Sequence, residues 1–202
     1  VAIAYDSRIK SDLFANITAR VFAANGVKAY LFKELMPTPT LSFAVRQLHC
    51  SAGIVITASH NPSKYNGYKA YGEDGCQLNP QAAAKVLELA SKTDIFDGVK
   101  KISFEEGMRT GMIEYIPDQL IDEYLDRVFA LRVSKNPVEK SSLKVVYTPL
   151  NGTGNKLVRR ILHEGHQITN HGYRHVLFGK KPFVYGKRDH FHGLDPVVAD
   201  LT

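Results

Sequence analysis

Through the first 60 residues, short apolar runs alternate with stretches whose apolar residues recur every three or four positions. VAIAYD (1–6), VKAYLF (27–32) and AGIVITA (52–58) read as strands, the last of them apolar throughout. Between the first two, Ser11 reads as the N-cap of a helix carrying Leu13, Ile17, Val21 and Phe22 and ending at Gly26. MPTPT (36–40) predicts a loop stiffened by two prolines, and TLSFAVRQLH (40–49) has helical spacing. A β-α-β-α-β order predicts an α/β fold, a mainly parallel mixed sheet sandwiched by helices.

Beyond residue 60 the pattern is less regular. YKAYG and CQL flank Glu73-Asp74-Gly75, where Asp-Gly is a turn signal. Residues 80–91 and 117–133 carry helical periodicity. SKNPVEKSS (134–142) is polar and contains Pro137, which predicts a linker over 136–142. It would separate a first domain over 1–135 from a partial second domain over 143–202. That second region opens with a strand, LKVVYT (143–148), and a turn into a helix, GTGNKLVRRILHEG (152–165). After about residue 166 no sustained period remains, and six of the eight histidines fall between 163 and 192.

Composition narrows the picture only a little. No run approaches the roughly 18 apolar residues of a membrane span, so no membrane partner is expected. The N-terminal VAIAYDSR has no basic region leading into an apolar one, so a secretory signal is not seen. With no Met at position 1 and a strand starting at Val1, native residues are expected to precede the chain. Cys50 and Cys76 form no CxxC pair, which points to reduced thiols, no zinc site and a cytoplasmic setting. The net charge of +6 favours acidic partners, phosphorylated metabolites and nucleic acid alike.

Candidate chemistry concentrates at TASHNP (57–62). In a parallel α/β sheet, ligands gather beyond the carboxyl ends of the strands. Asp6 and Arg8 lie just past the first strand, the PTPT loop past the second, and TASHNP past the third. Ser59 offers an oxygen nucleophile, weak until a neighbouring group activates it, and His60 a donor that can become cationic. Arg8 and Lys69 could supply positive charge to a phosphoryl group, one as a fork and the other as a point charge. Ordinary turn chemistry also suits Ser, Asn and Pro at this place, and both readings stay open on the residues alone. A chance occurrence of the six-residue string in this chain is, however, on the order of one in 10⁵ to 10⁶.

TASHNP, followed by YNGYK at 65–69 and DG at 74–75, resembles the active-site segment of the α-D-phosphohexomutases. AGIVITASHNPSKYNGYKAYGEDGCQL (52–78) is most similar to the phosphoglucomutase/phosphopentomutase branch. YDSR (5–8), MPTPTLSFAVR (36–46) and LKVVYTPLNGTGNKLVRRIL (143–162) extend the likeness over roughly residues 1–165. The resemblance implies that Ser59 bears and donates a phosphoryl group, and that His60 supports the reacting oxygens. It implies that Lys69 meets a sugar hydroxyl as a general acid or base, with Arg8 and Asn61 binding substrate and Asp6 at the rim. The implied reaction interconverts sugar phosphates, such as glucose 1-phosphate and glucose 6-phosphate or pentose equivalents, through a bisphosphate. Glucose 1,6-bisphosphate would be its activator and intermediate, and Mg²⁺ would bind an oxygen of the phosphate on Ser59.

The departures are as specific. The aspartate-rich, DGDGDR-like metal loop of the family occurs nowhere in the 202 residues. Asn151 stands where the branch has His, so no catalytic role is expected of it. The family pattern stops near His166, which suggests a frameshifted tail and a truncated mutase with little or no turnover of its own. GTGNK (152–156) could hold an anion on its amides but reads better as a structural turn. His171 and His175 have i, i+4 spacing without a convincing helix, so adventitious metal binding is the better reading. GKKPFVYGKR (179–188) interleaves basic and aromatic residues but fits no recognised nucleic-acid motif, and no nucleic-acid partner is expected. The competing expectation is a non-catalytic phosphosugar-binding or interaction module.

Overall fold

The computed structural model of the chain describes residues 1–62, 64–131, 147–163, 184–185 and 189–190. The chain divides into two compact units, Val1–Lys135 and Asn136–Thr202.

The first unit is built on five strands: β1 (Ala2–Tyr5), β2 (Ala29–Leu31), β3 (Ala52–Ile56), β4 (Tyr68–Gly72) and β5 (Ile113–Tyr115). They hydrogen-bond in the order β4-β3-β1-β2-β5. β1 pairs in parallel with β2 and β3, and β5 pairs in parallel with β2. β4 is antiparallel to β3, with Val55 opposite Lys69 and Ile56 opposite Tyr68. The apolar run at 52–56 lies inside this sheet, between β4 and β1, and its lack of alternation follows because both of its faces are covered.

Two helices occupy the crossovers, α1 (Ser11–Ala24) and α2 (Thr38–Gln47). Ile54 and Ile56 pack with Ala15, Ala19 and Ala23 of α1. Gly53, next to Ile54 and so on the other face, meets Val45 and Leu41 of α2. Successive strand residues point to opposite faces, so α1 and α2 cover opposite sides of the sheet. A later helix, α5 (Asp118–Ala130), joins α2 through an edge-on contact of Phe43 with Tyr124, their centroids 5.6 Å apart.

α1 departs from the expected orientation. Its buried residues are Ser11, Ala15, Ala19 and Ala23, whereas Leu13, Phe14 and Ile17 are exposed. Alanines spaced four apart let the helix lie close on the sheet, and that close approach outweighs the larger apolar area of the leucine face. Nor is Ser11 the N-cap. Lys10 holds that place in a left-handed conformation (φ 63°) without a side-chain cap, and Ser11 begins the helix with its hydroxyl used elsewhere. α2 begins at Thr38, inside the expected loop, with Pro37 as N-cap and Pro39 in the first turn, where a missing N–H leaves no bond unmade.

α3 (Pro80–Ser91) has the expected bounds, with Asn79 accepting from the Ala82 amide at 2.8 Å as its cap. None of its residues is buried. α4 (Phe104–Arg109) and β5 escape the sequence reading because six and three residues are too short to show a period. One signal for α4 was present: Ser103 followed three residues on by Glu106, whose amide donates to the Ser103 hydroxyl at 3.0 Å.

In the second unit, α6 (Asn155–His163) follows a turn in which the Gly152 amide donates to the Pro149 carbonyl at 2.7 Å. GTGNK thus leads from a turn into a helix. β6 (Val184–Tyr185) and β7 (Asp189–His190) form an antiparallel pair. The expected linker over 136–142, residues 143–146 of the expected strand, His171, His175 and most of GKKPFVYGKR lie outside the described residues.

Candidate active site

β3 delivers the chain to TASHNP at the carboxyl end of the sheet. Thr57 is buried, and its amide donates to the Gly67 carbonyl at 2.9 Å, so the end of β3 stays joined to the approach to β4. The two backbones meet closely here: a Cβ on Gly67 would lie 2.6 Å from the Thr57 carbonyl oxygen. Gly67→Ala is therefore expected to destabilise the unit by about 2 kcal/mol, the magnitude of an overpacked site. A urea unfolding curve would show it, and a midpoint equal to that of the parent chain would contradict the close approach.

Ser59 follows in the left-handed region, with φ at 56°, uncommon for a residue that is neither Gly nor Asn. Local hydrogen bonds hold it there. Its amide donates to the Thr57 hydroxyl at 3.2 Å, and the Asn61 amide donates to the Ala58 carbonyl at 3.2 Å. The turn exposes Ser59, and its Oγ lies 3.1 Å from His60 Nδ1. A neutral imidazole can accept the hydroxyl proton there, and a cationic one can donate to an oxygen carried on Ser59. Strained backbone plus an exposed hydroxyl beside an imidazole suits a nucleophile better than an idle turn.

Arg8 is placed differently from a free substrate ligand. Its Nη1 donates to the carbonyls of Pro62 at 2.9 Å and Tyr65 at 3.2 Å, and its Nη2 to the carbonyl of Ser59. The remaining Nε donates to Asp6 Oδ2 at 3.1 Å, and both side chains are largely buried. The fork spans the loop from Ser59 to Tyr65 and fastens it to the end of β1. Asp6 is thereby an anchor for Arg8 rather than a rim residue. Asn61 is exposed in the loop. Lys69 sits half-buried on β4 opposite Val55, and no hydrogen bond joins it to Ser59 or His60. The loop after β2 shares this end of the sheet, with the Met36 amide donating to the Tyr5 carbonyl at 3.0 Å. Burial, and next the Asp12 carboxylate, push the Tyr5 phenol up, so it remains a donor to the Lys33 carbonyl through neutral pH.

Two residues of the site were missed in the sequence, Ser11 and Asn66. The Ser11 hydroxyl donates to Asp6 Oδ1 at 2.8 Å and accepts from Asn66 Nδ2 at 2.8 Å. Asn66 was visible in YNGYK, but nothing local says that its amide turns to a helix start 55 residues earlier. A metal finds less support. Among the described residues no group of three or more His, Cys, Asp or Glu side chains could hold an ion. Asp6 already accepts from Arg8 and Ser11. Side chains here do not by themselves fit Mg²⁺, which takes several oxygen ligands.

Comparison with known proteins bears on this arrangement. Residues 1–97 match the family described as phosphoglucomutase/phosphomannomutase, alpha/beta/alpha domain I. A phosphoglucomutase of Staphylococcus epidermidis is 40% identical over 164 residues, covering 80% of this chain and 29% of that protein. A Schizosaccharomyces pombe protein assigned as a phosphoribomutase is 35% identical over 174 residues, covering 81% of this chain and 28% of that protein. Among solved structures, a Thermus thermophilus protein assigned as a phosphomannomutase superposes with a TM-score of 0.67 at 27% identity, over 83% of this chain and 35% of that one. The chain thus spans under a third of the length of these curated relatives. Domain I of the phosphoglucomutase/phosphomannomutase family occupies residues 1–97, and the chain belongs to the α-D-phosphohexomutase superfamily.

Proposed function

We propose that this chain carries the phosphoryl-bearing domain of a sugar-phosphate mutase, with Ser59 as the residue that takes up and returns the phosphoryl group. The observation that carries this reading is Ser59 itself: exposed, in a left-handed turn beyond the end of an interior strand, its Oγ 3.1 Å from an imidazole nitrogen. In the forward half-reaction the P–Oγ bond breaks as a sugar hydroxyl oxygen bonds to phosphorus, and a general base takes the hydroxyl proton. Lys69 is the candidate for that base, two residues along β4 from the Gly67 contact with Thr57. The return step moves the sugar's other phosphoryl group onto Ser59 Oγ, and His60 steadies the oxygens that gain charge. Positioning and neutralisation of spread charge supply most of the catalysis in such transfers.

The substrates in this reading are hexose or pentose 1-phosphates and their 6- or 5-phosphate isomers, and a sugar bisphosphate is the activator. Mg²⁺ would lie on the Ser59 phosphate, but the described side chains supply no second ligand set, and no step here runs through it. The alternative reading is a phosphosugar-binding module without turnover. Residues 1–135 are the phosphoserine-bearing domain, 136–142 the linker and 143–202 a partial second domain. No described helix is long and apolar enough to cross a membrane.

Intact-mass analysis with phosphosite mapping tests the assignment. After incubation with glucose 1,6-bisphosphate and Mg²⁺, the chain should gain one phosphoryl group, located at Ser59. Ligand binding with Ser59 unmodified would favour the binding module and overturn the donor role.

A further inference from the structure

We propose that Asn66 and Ser11 are positioning residues for Ser59, acting through a closed ring of hydrogen bonds that fastens the loop to the start of α1. This rests on the reading of Ser59 as the phosphoryl carrier. Starting in the loop, Asn66 Oδ1 accepts from the Gly67 amide at 2.9 Å, which fixes which way the side-chain amide faces. Nδ2 then donates to Ser11 Oγ at 2.8 Å and to the Ile9 carbonyl at 3.4 Å. Ser11 is fully buried, so its hydroxyl has no water to fall back on and must serve as acceptor from Asn66 and donor to Asp6 at once.

Asp6 completes the ring. Oδ1 accepts from Ser11 Oγ at 2.8 Å and from the Arg8 amide at 2.9 Å, and Oδ2 accepts from Arg8 Nε. A carboxylate held from both sides cannot swing, so it fixes the plane of the guanidinium it binds. The free edge of that plane then meets the carbonyls of Ser59, Pro62 and Tyr65. The ring therefore begins and ends in the same loop, and every bond in it that joins two side chains lies within hydrogen-bond range. Four of five guanidinium bonding directions are taken up in this way, counting two carbonyls on Nη1, one on Nη2 and Asp6 on Nε.

The physical consequence is a division of labour. The left-handed turn at Ser59 is strained for a residue with a side chain and persists only where its surroundings over-determine it. The Ser59 carbonyl bound by Arg8 is the point at which the ring grips that turn. Releasing Asn66 or Ser11 loosens the orientation of Asp6 and Arg8 without removing either charge. Misplacing a reacting group by about 1 Å can lower a rate by about 100-fold. A partial loosening is expected to lower the rate of phosphoryl uptake at Ser59 by about tenfold.

Asn66→Ala, Ser11→Ala and their double variant test this in the whole chain, with Asn66→Asp as a replacement that keeps the acceptor but loses the donor. Two quantities are read. One is backbone amide exchange in peptides covering residues 57–62. The other is the rate at which Ser59 gains phosphate from glucose 1,6-bisphosphate. The expected result is exchange faster by about tenfold in that loop alone, uptake slower by about tenfold, and a double variant no worse than either single one, because one ring is broken only once. Loop exchange and uptake both equal to the parent chain would overturn the ring. Faster exchange with unchanged uptake would overturn the positioning role. If the parent chain itself gains no phosphate, the reading of Ser59 fails and the positioning role with it, while exchange still decides whether the ring fastens the loop.

Discussion

Arg8→Ala is expected to lower the stability of the first unit by about 2–4 kcal/mol and to free the loop that carries Ser59. Two separate losses add up. Asp6 and Arg8 are both largely buried, so removing the guanidinium leaves a carboxylate with only the Ser11 hydroxyl and the residue-8 amide for company. The carbonyls of Ser59, Pro62 and Tyr65 also lose their donor, although these lie toward solvent and water replaces it at small cost. Arg8→Lys separates the two losses. An ammonium can pair with Asp6 but cannot span three carbonyls in a plane, so it should restore much of the stability and little of the loop order. Urea unfolding and amide exchange of residues 57–62 measure the two effects. A change in stability within about 0.5 kcal/mol of zero for Arg8→Ala, the range of ordinary surface substitutions, would sink this account of the fork.

Ser59→Gly should abolish phosphoryl uptake completely while leaving the unit at least as stable as the parent chain. Glycine has no Oγ to bond to phosphorus, so no phosphate should appear at position 59 under any concentration of bisphosphate. The stability effect has two opposing parts. Relief of the left-handed backbone at φ 56° contributes about 1–2 kcal/mol, and the extra freedom of glycine in the unfolded chain takes back about 0.5–1 kcal/mol. The balance is a gain of about 0.5 kcal/mol. Ser59→Ala removes the same oxygen but keeps the strain, so it should be equally inert and no more stable than the parent. If Ser59→Gly proves markedly destabilising, the turn at 59 is not strained. If phosphate still appears in the chain after Ser59→Ala, another residue accepts it. The pairing matters because a residue that lowers stability yet is kept in an exposed turn makes sense only through its chemistry.

The grip on the loop also explains how strongly local and distant interactions contribute to one site. The contact between Ser59 and His60 is between neighbours in the chain and could be read from TASHNP. The bonds of Arg8 to Ser59, Pro62 and Tyr65 span 51 to 57 residues, and those of Asn66 to Ser11 span 55. YDSR and YNGYK each looked like a piece of a site, but neither says that the arginine serves the loop's backbone instead of a ligand.

What was determined by the sequence alone is whatever depends on near neighbours and on periodicity. The parallel β-α-β-α-β frame, the apolar strand at 52–56, the bounds of α3 and the serine beyond a strand end all follow from it, because strand and helix periods repeat within a few residues. Tertiary structure decided the rest. It turned α1 onto its alanines instead of its leucine face, since only the sheet sets how closely a helix must lie. It drew Ser11 away from capping and into a buried ring with Asp6 and Asn66. It also bound Arg8, which the resemblance implied would meet substrate, across the loop. The bonds of Arg8 and Asn66 between the loop and the start of the chain join residues more than 50 positions apart, and their physical reason is burial: a hydroxyl and a guanidinium removed from water must find partners wherever the fold brings them.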